Sequence, residues 1–231
     1  GEADVIFFFI HSGFILAYTF TTRRKGIIST RSYAGYLLER IFRIYPLFLL
    51  VLVISFVAAN LTPVYHAAGS DDYISRFWFS HFNFRDLVNQ TALVWRNPES
   101  ANYRLIPQDW TLTVELLAGA SIPFLAYSGR RNLLVFLGLM ILLKWSNILS
   151  TYILEFGAGV ALFLFLSHIR AIWAKMHFIV KFLVAAGAVA GYSGLFVFPS
   201  LFTSDISLLN PRYDRLVIGA GCILIFVLLL S

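Results

Sequence analysis

Arg40 and Arg43 stand three residues apart in Tyr36-Leu-Leu-Glu-Arg-Ile-Phe-Arg-Ile-Tyr-Pro46, a spacing that brings both guanidinium groups onto one face of a helix. Paired guanidiniums can grip phosphates or a carboxylate through charge-assisted hydrogen bonds. The plainer reading makes them basic anchors that hold a helix end at the headgroups, and residue types alone leave both open. A second cluster is Gln108-Asp109-Trp110-Thr111-Leu112-Thr113-Val114-Glu115. Asp109 or Thr111 is suited to cap a helix starting there, which sets Glu115 about one turn inside an apolar stretch. An ionisable group at that depth is costly and usually faces a polar cavity with a partner. That makes Glu115 a candidate general acid or base. Trp110 by itself reads as an interface anchor.

His11 and Ser12 follow one another in Phe7-Phe-Phe-Ile-His-Ser-Gly-Phe14. His11 could relay protons, or it could be a packed histidine satisfied by Ser12 or a backbone carbonyl. Ser12 and Gly13 suit close helix packing better than a nucleophile and its turn. Glu155 is a further acid within an apolar run, beside Gly157 and Gly159. His11, His66, His81, His168 and His177 are scattered, with no HExxH pattern, so no metal site is expected. No phosphate-binding glycine loop and no GxSxG elbow occurs. The single cysteine, Cys222, cannot support an intrachain disulfide framework.

The elements that must position these residues are apolar helices. Hydrophobic residues make up 59% of the 231 and charged ones only 13%, with a mean hydropathy of +0.77. A soluble domain carries about a quarter charged residues. Apolar runs cover 5–20, 44–60, 112–127, 133–145, 148–167, 178–198 and 216–230. Several approach the roughly 20 residues needed to cross the hydrocarbon core. They do not alternate as barrel strands do. The expected fold is therefore all-α, a polytopic transmembrane helix bundle with about seven spans in one domain over 1–231.

The net charge is +6, yet the cations flank apolar runs, as cytoplasmic loops and anionic headgroups require. Membrane lipid is the expected partner, and nucleic acid is not. Taking the segment with Arg23, Arg24, Lys25, Arg31, Arg40 and Arg43 as cytoplasmic, alternation of spans puts 61–109 outside. Its aromatic part, 73–95, must then lie on the surface or re-enter. Arg40 falls at the inner mouth of one span, and Glu115 near the outer end of the next.

In order and separation these segments resemble the acyltransferase-3 family of bacterial membrane O-acyltransferases. Phe7-Phe-Phe-Ile-His-Ser-Gly-Phe14 is similar to the family's FFxxSGF helix, and Arg40-Ile-Phe-Arg-Ile-Tyr-Pro46 to its RxxRIxP stretch. Trp110-Thr-Leu-Thr-Val-Glu115 is similar to its W-S/T-L-x-x-E motif, and Phe156-Gly-Ala-Gly159 to a later F-x-x-G helix start. The resemblance implies a bundle of about ten helices in the bacterial cytoplasmic (inner) membrane. Its activity would be transfer of an acyl group, acetyl by default, from cytoplasmic acyl-CoA to a hydroxyl of an extracytoplasmic carbohydrate or glycolipid. Acyl-CoA is then a co-substrate and no bound cofactor is expected. Arg40 and Arg43 match the arginines that engage the donor, and Trp110 and Glu115 match residues beside the reaction channel.

The chain departs from the family at both ends. The family's essential histidine sits on a helix before FFxxSGF, and its SYxxYLxH-like closing helices come later; neither is in this sequence. A piece truncated at both ends, inactive alone, is the expectation. His11 stands where the family has an aliphatic residue and does not replace the missing base. A soluble partner domain, attached in some relatives, is not visible either. The competing reading is a transporter or flippase that uses Glu115 and Glu155 as coupling sites; the internal repeat common in transporters is not found.

Overall fold

The computed structural model describes residues 2–23, 29–61, 82–93, 105, 106, 108–145, 152–201 and 211–230. Arg24, Lys25, His66, His81 and residues 73–81, 94 and 95 of the aromatic segment lie outside the described residues. Every element among the described residues is an α-helix. In chain order they are α1 Glu2–Arg23, α2 Thr30–Leu61, α3 Phe84–Thr91, α4 Asp109–Arg131, α5 Leu133–Trp145, α6 Ile153–Leu164, α7 Leu166–Lys175, α8 Phe178–Leu201 and α9 Pro211–Leu230. Of these, α1, α2 and α4 are long and apolar enough to cross a membrane, and α6 with α7 would be a fourth if that bent pair forms one span. α2 exposes Leu47, Leu50, Val53, Ile54 and Val57 along its length, an arrangement that suits lipid rather than water.

Two differences from the sequence expectation concern helix ends. α2 does not start at Ile44 but runs unbroken from Thr30 through Pro46. The run 148–167 yields a helix that ends at Leu164, and a 68° bend then starts α7. α7 takes in Arg170 and Lys175, which lie beyond the end of that apolar run. Its sequence, Leu-Ser-His-Ile-Arg-Ala-Ile-Trp-Ala-Lys, mixes polar and apolar positions, and no residue of it is fully buried.

The chain forms two compact units, Gly1–Ser32 with Ala118–Ser231, and Tyr33–Leu117. In the first, α1 packs along α6, α9 packs on α1, and α8 packs on α9. Glycines set the α1–α6 crossing. A Cβ on Gly13 would overlap the carbonyl of Phe156, and one on Gly159 would overlap the carbonyl of Ile10. The two backbones touch, which is how small residues let apolar helices associate. Ile6, Ile10, Phe14, Ile218, Cys222 and Phe226 fill the space beside that crossing.

In the second unit, Phe48, Leu52 and Ala59 of α2 gather Phe82, Leu93 and Leu105, with Leu112 and Leu116 of α4 packed against them. The described parts of the long connection between α2 and α4 thus fold back along the apolar half of α2. Asn83 and Asp86 start α3 with a reciprocal capping box. The Gln90 side-chain carbonyl accepts from the Leu105 amide at 2.8 Å, and the Thr113 hydroxyl donates to the Leu93 carbonyl at 2.9 Å. These two bonds tie the connection to itself and to the first turns of α4.

Candidate functional site

Tyr36, Arg40, Phe48 and Leu52 are buried positions of α2, spaced by four or eight residues along one i, i+4 ridge. That ridge carries Arg40 inward while Ile41 and Phe42 beside it are exposed. On α4, Glu115 lies in the second turn after the buried Asp109. The two helices bring these residues together. Arg40 Nη2 donates to the main-chain carbonyl oxygen of Glu115 at 2.5 Å and stands 3.6 Å from Glu115 Oε1. The side chains keep only 6% and 15% of their exposure. The Arg40 guanidinium also sits 6.0 Å from the centroid of the Tyr36 ring, one helical turn away, at cation–π range.

At 3.6 Å the carboxylate is an ion-pair partner of Arg40 rather than a hydrogen-bond acceptor; the short bond goes to the backbone. A guanidinium has five N–H donors in a rigid fork. Arg40 Nε is buried and has no hydrogen-bond partner among the described residues. Removing two charges from water is expensive, and attraction inside repays it only when the remaining donors are satisfied. Arg40 and Glu115 together form a buried dipole with hydrogen-bonding capacity left over. Such an arrangement can receive an anionic or strongly polar oxygen group.

The contact corrects the expected depth of the two residues. Alternation of spans separates Arg40 and Glu115 to opposite faces of the membrane, yet they touch. Arg40 lies ten residues inside α2, about 15 Å from its first residue, not at the mouth of a shorter helix. The connection before α4 packs on Phe48, Leu52 and Ala59, so α4 begins partway along α2 instead of beyond its end.

The other expected site residues are not drawn in. Arg43 is exposed, so the two arginines do not converge. Trp110 is half-buried in the first turn of α4; five residues of helix turn it about 140° from Glu115. His11 is exposed on α1, edge-on to the Phe226 ring at 5.8 Å between centroids. Ser12 is buried at the α1 packing face, as close helix contact requires. Both belong to the first unit, whereas the Arg40–Glu115 pair belongs to the second. Among the described residues no cluster of His, Cys, Asp and Glu could hold a metal ion.

Sequence reasoning missed Tyr36 and Gln90. The i, i+4 spacing of Tyr36 and Arg40 was a usable signal for the first. Nothing local marks Gln90, whose burial depends on Leu105, fifteen positions away. It also read Asp109 only as a cap, although the residue is fully buried. Compared with protein-family models, with curated proteins and with solved structures, the chain gives no match.

Proposed function

We propose that the protein is a polytopic membrane O-acyltransferase, with about seven of its helical segments in the bacterial inner membrane. It would move an acyl group, acetyl by default, from cytoplasmic acyl-CoA to a hydroxyl of an extracytoplasmic carbohydrate or glycolipid. The observation that carries this reading is the buried contact of Arg40 with Glu115. Each residue comes from a separate motif of the acyltransferase-3 resemblance, and in the fold the two meet.

In this reading Arg40 binds an anionic or carbonyl oxygen of the donor through the guanidinium edge that keeps Nε. Glu115 holds that fork in place and accepts the proton of the acceptor hydroxyl. The hydroxyl oxygen attacks the thioester carbonyl carbon, the new C–O bond forms and the C–S bond breaks. The proton passes to the departing thiolate. Arg43, exposed near the same turn, meets the donor's phosphates, and Trp110 serves as the interface anchor at the start of α4. His11 and Ser12 take packing roles.

The transporter reading gains little from the bend between α6 and α7. α7 mixes polar and apolar positions and leaves Arg170 and Lys175 exposed, and no internal repeat accompanies the bend. Envelope glycans and glycolipids from cells with and without the gene separate the two readings. Mass spectrometry should find an alkali-labile ester, +42 Da for acetyl as ~one added C2H2O, only when the gene is present. Unchanged envelope esters together with altered uptake or efflux of a solute would establish the transporter instead.

A further inference from the structure

The cations of the first unit gather at one of its ends. α1 and α6 run in the same direction, since Phe9 meets Tyr152 and Phe156 while Phe14 and Tyr18 meet Phe163 further on. α9 ends at that same level, where Arg170 Nε donates to the Leu230 carbonyl at 2.9 Å. α4 finishes there as well: Gly129 abuts Leu164, and the Arg130 guanidinium lies 6.0 Å from the Phe163 ring centroid. Arg130, Arg131, Arg170 and Lys175 are all exposed, and Lys181 reaches back over the Trp173 ring at 5.6 Å.

Among the described residues of this unit, no acid lies at that end. Residues 156–204 contain neither Asp nor Glu. Among the described side chains of this unit the acids are Asp4 and Glu155, at the starts of α1 and α6 and so at the opposite end. The 68° bend after Leu164 turns α7 toward the membrane plane when α6 follows the membrane normal. Leu166 and Ile169 of α7 then rest on the apolar core, and His168, Arg170 and Lys175 stay exposed. At the bend a cavity of about 240 Å³ opens, lined by Gly129, Arg130, Phe163, Leu164 and Phe165.

We propose that this end of the unit binds the headgroups of anionic phospholipids, with a phosphodiester held at the Arg130 cavity and the α7 cations meeting neighbouring headgroups. Charge complementarity argues for lipid. The cations sit where apolar helices end, on a helix lying in the plane, and juxtamembrane basic groups concentrate acidic lipid at such a level. Aromatic rings under Arg130 and Lys181 fix the two cations without neutralising them. The proposal rests on residues of the first unit alone and does not depend on the acyltransferase reading.

The test places the protein in phosphatidylcholine nanodiscs with trace spin-labelled phosphatidylglycerol or spin-labelled phosphatidylcholine. Electron paramagnetic resonance then reads the motionally restricted fraction of each. The expected result is a preference for phosphatidylglycerol that falls about tenfold in a combined Arg130→Gln, Arg131→Gln and Arg170→Gln variant. The preference should also weaken in the unaltered protein as salt is raised, and persist when the same three residues become Lys. Equal restriction of the two lipids by the unaltered protein overturns the proposal. So does a preference that the Gln variant keeps. Displacement of the lipid by micromolar coenzyme A would also overturn it, assigning the site to a soluble phosphate.

Discussion

Arg40 of α2 reaches Glu115 of α4 across seventy-five positions of sequence, donating to its carbonyl oxygen and facing its carboxylate, with both side chains largely buried. The pair therefore has a structural role as well as any chemical one. Glu115→Leu would leave a buried guanidinium uncompensated, at a cost of about 3–5 kcal/mol. Arg40→Leu would strand the carboxylate to a similar extent. The double replacement is expected to cost less than the sum of the two singles. Thermal unfolding of the four proteins in detergent measures that coupling, and additive losses would mean that the pair does not interact.

Arg43 provides a contrast on the same helix. It is exposed, so Arg43→Ala is expected to change stability by no more than about 0.5 kcal/mol. Its loss should instead raise the apparent KM for acyl-CoA, because an exposed guanidinium contributes through donor binding. Arg40→Ala should lower both stability and turnover. Unfolding and initial-rate measurements on the two variants, made side by side, check the distinction.

Glycines in the first unit separate into two groups. Gly13→Ala and Gly159→Ala would drive a methyl group into the backbone of the facing helix. Each is expected to cost about 1–3 kcal/mol, as overpacking does. A Cβ on Gly138 or Gly187 meets nothing within 4 Å. Alanine there should be neutral or stabilising by up to about 1 kcal/mol through helix propensity. Detergent melting temperatures of the four variants give the comparison directly.

Polar bonds help to hold the described parts of the long connection in place. Gln90→Leu removes the acceptor of the buried Leu105 amide and is expected to cost about 1–3 kcal/mol. Asn83→Ala should cost about 1 kcal/mol by opening the α3 capping box. Limited proteolysis should cut the Gln90 variant faster between α3 and α4 than the parent protein. Equal cutting rates would show that the bond does not hold the connection.

Helix existence was legible in the sequence because apolar composition over long runs is a strong signal. The runs at 5–20, 112–127 and 133–145 each fall within an observed helix. Depth was not legible. α2 continues through three arginines that composition reads as a helix end, since a helix in lipid can carry a charge inward when another element supplies a partner. The bend after Leu164 has neither proline nor a helix-ending glycine beside it, so no local residue announces it. Of the candidate site, the individual residues could be read from their types and spacing. That Arg40 meets Glu115 while Arg43 turns outward could not, because it depends on how the connection before α4 packs on Phe48 and Leu52.

The most direct test of the account follows acyl transfer itself. Membranes from cells carrying the gene at its natural locus are incubated with acetyl-CoA labelled in the acetyl group, and ester-linked label is counted in the glycan and glycolipid fractions. Label should accumulate with the unaltered protein and fall at least about a hundredfold with Glu115→Gln, at matched protein abundance in the membrane. Arg40→Lys, which keeps the charge but loses the planar fork, should leave only a small residue of activity. Undiminished labelling by Glu115→Gln and Arg40→Lys would contradict the claim that this pair is the reaction site.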